Sequence, residues 1–212
     1  MSVDGRTIVL AGATSAAGLG VAQALVAAGA RVIATGRSDA GLTPLRELGA
    51  ETAVADATSL AEMSALASGL SAVDGVIPLV GGWRGGGGLA GQSDEDLHAL
   101  LPAFEAVRAT SRAFDPLLRE SDAGRFALVS STAVARPLAG GANYAAVKAA
   151  SEAWGRATAQ GFAKAARDAG GPLRAASVIF RAKALDADSL ASAVLELWDL
   201  SADALNDRIL DI

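Results

Sequence analysis

The chain has no cysteine, a single histidine and a single tyrosine among its 212 residues. Without cysteine there is no disulfide framework, no thiolate nucleophile and no cysteine-based metal site. One histidine, His98, argues against a His-rich metal centre and against a Ser–His–Asp triad, so any proton donor in catalysis must be another residue type. Basic residues are also in deficit. The net charge is −5 with a pI near 4.9, which speaks against a nucleic-acid partner, since that function calls for a basic face. From Thr7 to Ala30 there is no charged residue, but Gly12, Gly18, Gly20, Gly29, Thr14, Ser15 and Gln23 interrupt the run. That stretch is too polar for a spanning helix. It also lacks the basic start of a signal peptide, because Asp4 precedes Arg6. The expectation is a soluble cytoplasmic protein with no membrane contact.

What is abundant is apolar: hydrophobic residues make up 51% of the chain and charged ones 19%, a balance suited to a packed globule rather than a disordered chain. The length fits one domain spanning 1–212. Short β-rich runs at 7–11, 31–35, 51–55, 75–80, 125–130, 173–180 and 208–212 read as strands buried on both faces. Longer helical stretches separate most of them, at 17–28, 59–69, 94–118, 142–168 and 188–199. Ser59 and Asp94 suit N-caps, and Gly29 and Gly69 suit helix stops. This alternation predicts an α/β fold: a doubly wound parallel sheet of about seven strands with helices on both faces. The low-complexity segment "GGWRGGGGLAG" (81–91) directly follows a strand, where loops of such sheets rim the ligand crevice. A surface connector is the equally open alternative. Trp83 and Arg84 within it are candidates to cover a ligand or meet a substrate carboxylate.

Two constellations carry chemistry. "TIVLAGATSAAGLG" is a strand, a glycine-containing turn and a helix, which turns backbone N–H groups and the positive end of the helix dipole toward an anion such as a pyrophosphate. After the second strand the chain reads "VIATGRS", with Gly36 where a ribose-binding acid would stand and then Arg37. Arginine pairs with a 2′-phosphate, so NADP is favoured over NAD. The second constellation is "NYAAVKAA", in which Tyr144 and Lys148 stand four residues apart. On a helix both lie on one face, and a cation beside a phenol favours phenolate.

Together these residues resemble the short-chain dehydrogenase/reductase family over nearly the whole chain. The family's turn is similar to Thr-Gly-x-x-x-Gly-x-Gly; here it reads "AGATSAAG", with Ala11 and Ala16 departing while Gly12 and Gly18 match. The resemblance implies a Rossmann-type sheet and a cofactor site built from Gly12, Thr14, Ser15, Ala16, Gly18, Arg37, Asp56 and Gly81, together with Tyr144 and Lys148. Asp56 would contact the adenine. It further implies catalysis by Ser131, Tyr144 and Lys148: the tyrosine as general acid/base, the lysine on the nicotinamide ribose, and the serine, thirteen residues before the tyrosine, on the carbonyl oxygen. Strand alternation sends the adjacent Ser130 to the other face. The substrate would be a small-molecule carbonyl or alcohol, and the assembly a homodimer or homotetramer paired through 94–118 and 142–168.

Several family features are missing. "PLVGG" (78–82) replaces Asn-Asn-Ala-Gly, no asparagine occurs in 94–118, and Phe180-Arg181 stands where Pro-Gly would follow the sixth strand. The substrate-covering segment of some tens of residues is reduced to "RAKALDADSL": either it is absent, leaving a shallow site, or a mobile stretch is missing from the sequence. Two other readings therefore stay open, a non-catalytic NAD(P)-binding sensor or scaffold and a non-redox isomerase or dehydratase. His98, Trp154 and Trp198 read as structural, and no metal site emerges.

Overall fold

A computed structural model describes residues 2–212. Seven strands form one parallel sheet in the order β3-β2-β1-β4-β5-β6-β7. They are β1 (Thr7–Ala11), β2 (Arg31–Gly36), β3 (Glu51–Val54), β4 (Gly75–Pro78), β5 (Arg125–Ser131), β6 (Ala176–Ala182) and β7 (Arg208–Asp211). The helices are α1 (Ala16–Ala27), α2 (Asp39–Glu47), α3 (Leu60–Ser68), α4 (Asp94–Glu120), α5 (Ala142–Asp168), α6 (Ala187–Glu196) and α7 (Ala202–Leu205). The central strands are buried along nearly their whole length, as their continuous apolar runs require. β3 and β7 are partly exposed, because each lies at an edge of the sheet.

The helices divide between the two faces. On one, Leu25 of α1, Leu42 and Leu45 of α2 and Leu190 of α6 pack with Trp198 against Ile8, Val178 and Phe180. On the other, Met63 of α3, Phe114 of α4 and Phe162 of α5 pack against Val76, Phe126 and Ile179. Each such side chain contributes on the order of 1.5–3 kcal/mol of burial.

Differences from the sequence expectations have local causes. α2 was not anticipated because Gly41 and Pro44 interrupt it; Ser38 caps it by accepting from the Gly41 N–H, and its apolar face supplies Leu42 and Leu45. α7 has only four residues, too few to show periodicity. Ser93, not Asp94, caps α4: its side chain accepts from the Asp96 N–H, and Asp94 opens the first turn. β4 stops at Pro78, two residues earlier than expected. β6 starts and ends later, so Arg181 lies inside the strand, paired with Ser130 and Asp211, and not in a loop after it. The stretch between β6 and α6 is then only 183–186. At the opposite, N-terminal end of the sheet, the buried Arg125 guanidinium donates to the carbonyls of Leu197, Gly124, Arg174 and Leu200 at 2.8–3.1 Å. Burial lowers its pKa to about 10.

Candidate active site

The sheet order reverses between β1 and β4, and at that switch point the C-terminal ends of parallel strands leave a crevice. A cleft of about 1080 Å³ lies there, large by the standard of single-ligand pockets. Its floor is Ser15–Ala17 after β1, Pro78–Gly82 after β4, Val129–Thr132 from β5 and Ala182–Leu185 from β6. Tyr144 and Lys148 enter from the first two turns of α5.

The turn after β1 is shaped by close approach. Gly12 has φ +76°, and a Cβ there would stand 2.5 Å from Val80 Cγ2, so only glycine fits both the backbone and the space. Its N–H donates to Thr35 Oγ1 at 3.1 Å. Gly18 sits so close to the turn that a Cβ would lie 2.2 Å from the Ala13 carbonyl oxygen. Ser15 caps α1, accepting from the Gly18 N–H at 3.2 Å, and no acid stands in the first turn. The first-turn residues Ala16 and Ala17 therefore present N–H groups and a positive dipole end to the cleft.

On the far side, Ser131 is buried, and its Oγ accepts from the Ala133 N–H at 3.2 Å. That leaves the hydroxyl hydrogen to donate into the cleft. Ser130, expected on the other face, also borders the cleft, but its Oγ is committed to Glu152, donating to Oε1 at 2.6 Å. Lys148 is 8% exposed and donates from Nζ to the Val129 carbonyl at 2.8 Å. The same Nζ lies 5.8 Å from the centroid of the Tyr144 ring. Burial lowers the Lys148 pKa to about 8, partly offset by the negative charge of Glu152 one turn along α5. Gly81 lies beside this ammonium: a Cβ on it would be in ordinary contact with Nζ at 3.9 Å.

Beneath the lysine is a group that spacing alone did not reveal. Glu152 is buried and receives Arg181 through two bonds, from Nε at 2.8 Å and Nη2 at 2.6 Å. Burial pushes its carboxyl upward, but the bonds from Arg181 and Ser130 and the guanidinium charge outweigh that and hold it below the usual range. The i,i+4 spacing from Lys148 was a readable signal for Glu152, but its partner comes from a distant strand.

Of the predicted residues, Ser15, Ala16, Gly81, Ser131, Tyr144 and Lys148 line the one cleft. Gly12, Thr14, Gly18, Arg37 and Asp56 do not line it; they extend along the same C-terminal edge across β1, β2 and β3. Arg37 is exposed just after β2. A Cβ on Gly36 would lie 2.7 Å from Thr14 Cγ2 and 3.1 Å from Leu42 Cδ2, which leaves no room for the ribose-binding acid. Asp56 ties its own turn, with Oδ1 accepting from the Thr58 N–H and hydroxyl at 2.9 and 2.8 Å. Trp83 lines the cleft, whereas Arg84 turns back to donate to the Trp83 carbonyl. The arginine that does line the cleft is Arg136, which the sequence reading passed over. His98 is exposed on α4, and among the described residues there is no acidic or histidine cluster able to hold a metal. No described helix is long and apolar enough to cross a membrane.

The glycine-rich loop is held by a backbone bond from the Gly86 N–H to the Gly140 carbonyl at 2.7 Å and by one side chain. Gln92 donates to the carbonyls of Gly86, Gly88 and Gly140, while its Oε1 accepts from the Asn143 N–H at the start of α5.

These features are those of a nicotinamide-nucleotide oxidoreductase. The model of the family described as short chain dehydrogenase matches residues 6–166, and the chain belongs to that family of NAD(P)-dependent enzymes. Among curated proteins none matches in sequence. The fold is shared with a short-chain type dehydrogenase/reductase from Mycobacterium ulcerans (17% identity, TM-score 0.86, covering 100% of this chain and 90% of that one). A metagenomic short-chain oxidoreductase solved with NADP is 24% identical, with TM-score 0.83 and coverage of 99% and 98%. The 3-ketoacyl-(acyl-carrier-protein) reductase from Brucella melitensis, solved with NADH, is 21% identical, with TM-score 0.84 and coverage of 100% and 98%.

Proposed function

We propose that this protein is an NADP-dependent oxidoreductase that interconverts a carbonyl and an alcohol on a small molecule, with Tyr144 as general acid/base. The observation that carries the reading is the convergence of Ser131, Tyr144 and Lys148 on one cleft that begins at the α1 N-terminus. The cofactor fits the residues present: Gly12 adds no side chain to the turn, and the first turn of α1, free of acids, favours an anion. Arg37 would take the 2′-phosphate and Asp56 the adenine, with Lys148 on the nicotinamide ribose. When bound, the nicotinamide supplies or accepts the hydride at the substrate carbon.

The chain's own residues manage the oxygen. The Ser131 hydroxyl donates to the carbonyl oxygen and steadies its developing charge. Tyr144 delivers a proton to that oxygen in reduction and removes it in oxidation. Lys148, held charged against a burial cost, favours the phenolate form of its neighbour. α4 contains no asparagine to anchor a water beside Lys148, so Lys148 is re-protonated by another route.

The test is Tyr144→Phe assayed against a panel of ketones and aldehydes with NADPH. Turnover is expected to fall by at least ~10²-fold, the lower end of general-acid effects, with NADPH affinity nearly unchanged. Retained turnover removes Tyr144 from the mechanism. Tight NADPH binding by the wild type with no turnover on the panel favours the second reading, a non-catalytic nucleotide-binding protein, which the absent asparagine and the four-residue 183–186 connection motivate. A cytoplasmic location goes with the oxidoreductase reading, since that compartment supplies the reduced nucleotide. So does a homodimer or homotetramer paired through α4 and α5, where Phe104 and Trp154 meet edge to face and Arg108 stacks on both.

A further inference from the structure

The charge of the cleft is opposite to the charge of the protein. In a chain of net charge −5, no Asp or Glu lines the cleft among the described residues, while Arg136, Lys148 and Lys183 do. Lys148 has a task in the proposed reaction, and its ammonium is occupied by the Val129 carbonyl. Arg136 has none: it is exposed, lies in the 132–141 segment between Ser131 and Tyr144, and has no ion-pair or hydrogen-bond partner among the described residues. Arg181, which reaches the same end of the sheet from β6, is by contrast neutralised by Glu152.

The walls beside Arg136 are apolar in a way the rest of the surface is not. Among the described residues six large hydrophobic side chains are exposed, and three of them, Trp83 (61%), Leu138 (74%) and Leu185 (46%), line this cleft. They come from three different loops, after β4, β5 and β6, so their convergence is not a consequence of one local sequence. An indole and two leucines left open to water around a reaction site stand ready to cover an apolar body. A guanidinium at the same mouth recognises a carboxylate through paired N–H groups.

We infer that the substrate is an apolar carbonyl compound carrying a carboxylate, with Arg136 as its anion-binding residue and Trp83, Leu138 and Leu185 around its hydrocarbon or aryl part. This assignment rests on the oxidoreductase reading for the position of the reacting carbonyl. It sorts substrates by charge: keto acids enter, and their esters lose the arginine contact.

The test uses aryl oxo-acids of increasing spacer length, phenylglyoxylate, 3-benzoylpropionate and 4-benzoylbutyrate, each paired with its methyl ester. Binding is followed by quenching of NADPH fluorescence in a Tyr144→Phe background, where reduction is too slow to consume the nucleotide during the titration, and the Arg136 variants are made in the same background. At least one acid is expected to bind about tenfold or more tightly than its ester, the difference a charge-assisted bond makes. In Arg136→Gln the acid-to-ester ratio is expected to fall toward one, with partial recovery in Arg136→Lys. Equal binding of every acid and ester, or a preference that survives Arg136→Gln, overturns the assignment. Turnover of the same panel is scored separately: acids that bind selectively but are never reduced count against the redox reading and leave the anion site standing.

Discussion

The buried ammonium of Lys148 gives a prediction that requires neither substrate nor cofactor. A fall in pKa from 10.5 to about 8 means that folding penalises the charged form by roughly 3 kcal/mol. The sign follows from which state holds more protons. Below pH 8 both the folded and the unfolded chain carry the charge, and the penalty is present in full. Between pH 8 and 10.5 the unfolded chain binds the extra proton, so folding stability rises with pH across that window. The perturbation is Lys148→Met, compared with the parent by urea denaturation from pH 7 to 10.5. Both are measured in a Tyr144→Phe background, so that ionisation of the ring does not enter. The parent should gain about 3 kcal/mol relative to the methionine variant over this range, because only the parent has the group to discharge. A stability difference that stays flat with pH would refute the placement of Nζ in a dry pocket under the Val129 carbonyl.

Other expectations concern single positions. Arg37→Asp should lower the preference for NADPH over NADH by tenfold or more, read as the ratio of the two Kd values, by exchanging an anion-binding cation for a repelling carboxylate. Gly12→Val should destabilise the fold by about 1–3 kcal/mol and abolish nucleotide binding, both measurable in one thermal-shift titration, because the backbone conformation and Val80 oppose any side chain. Arg125→Met should cost about 2–4 kcal/mol in urea denaturation with kcat/KM nearly unchanged, since it removes the guanidinium from the carbonyls of Leu197, Arg174 and Leu200 at the end of the sheet far from the cleft, while Gly124 keeps the Ala176 N–H. Light scattering at micromolar concentration should report a dimer or tetramer, and Trp154→Glu should drive it toward monomer.

How much of this could be read in advance depended on the range of the interaction. The strands were legible because a parallel strand covered on both faces leaves an unbroken apolar run, as in "TIVLA" and "GVIP". Tyr144 and Lys148 were legible because helical spacing alone brings them to one face. α2 was not, because Gly41 and Pro44 carry breaker chemistry that the packing of Leu42 and Leu45 overrides. The Glu152–Arg181 pair joins positions 29 residues apart with nothing local to announce it. Arg136 was passed over for the same reason that Arg84 was considered: the glycine-rich loop advertises itself, while "VARPLAG" looks like an ordinary connector.

The glycine-rich loop has almost no side chains to pack, and four of its glycines have positive φ, so its entropy of ordering is high. One amide, that of Gln92, reaches across to both Gly140 and the first turn of the helix that carries Tyr144. Wall and acid are thus mechanically one body: a ligand that pries the roof outward must also tug on the hinge of the proton donor. Selectivity and reactivity at this cleft would then rise or fall together, coupled through the Gln92 amide and the backbone bond from Gly86 to Gly140.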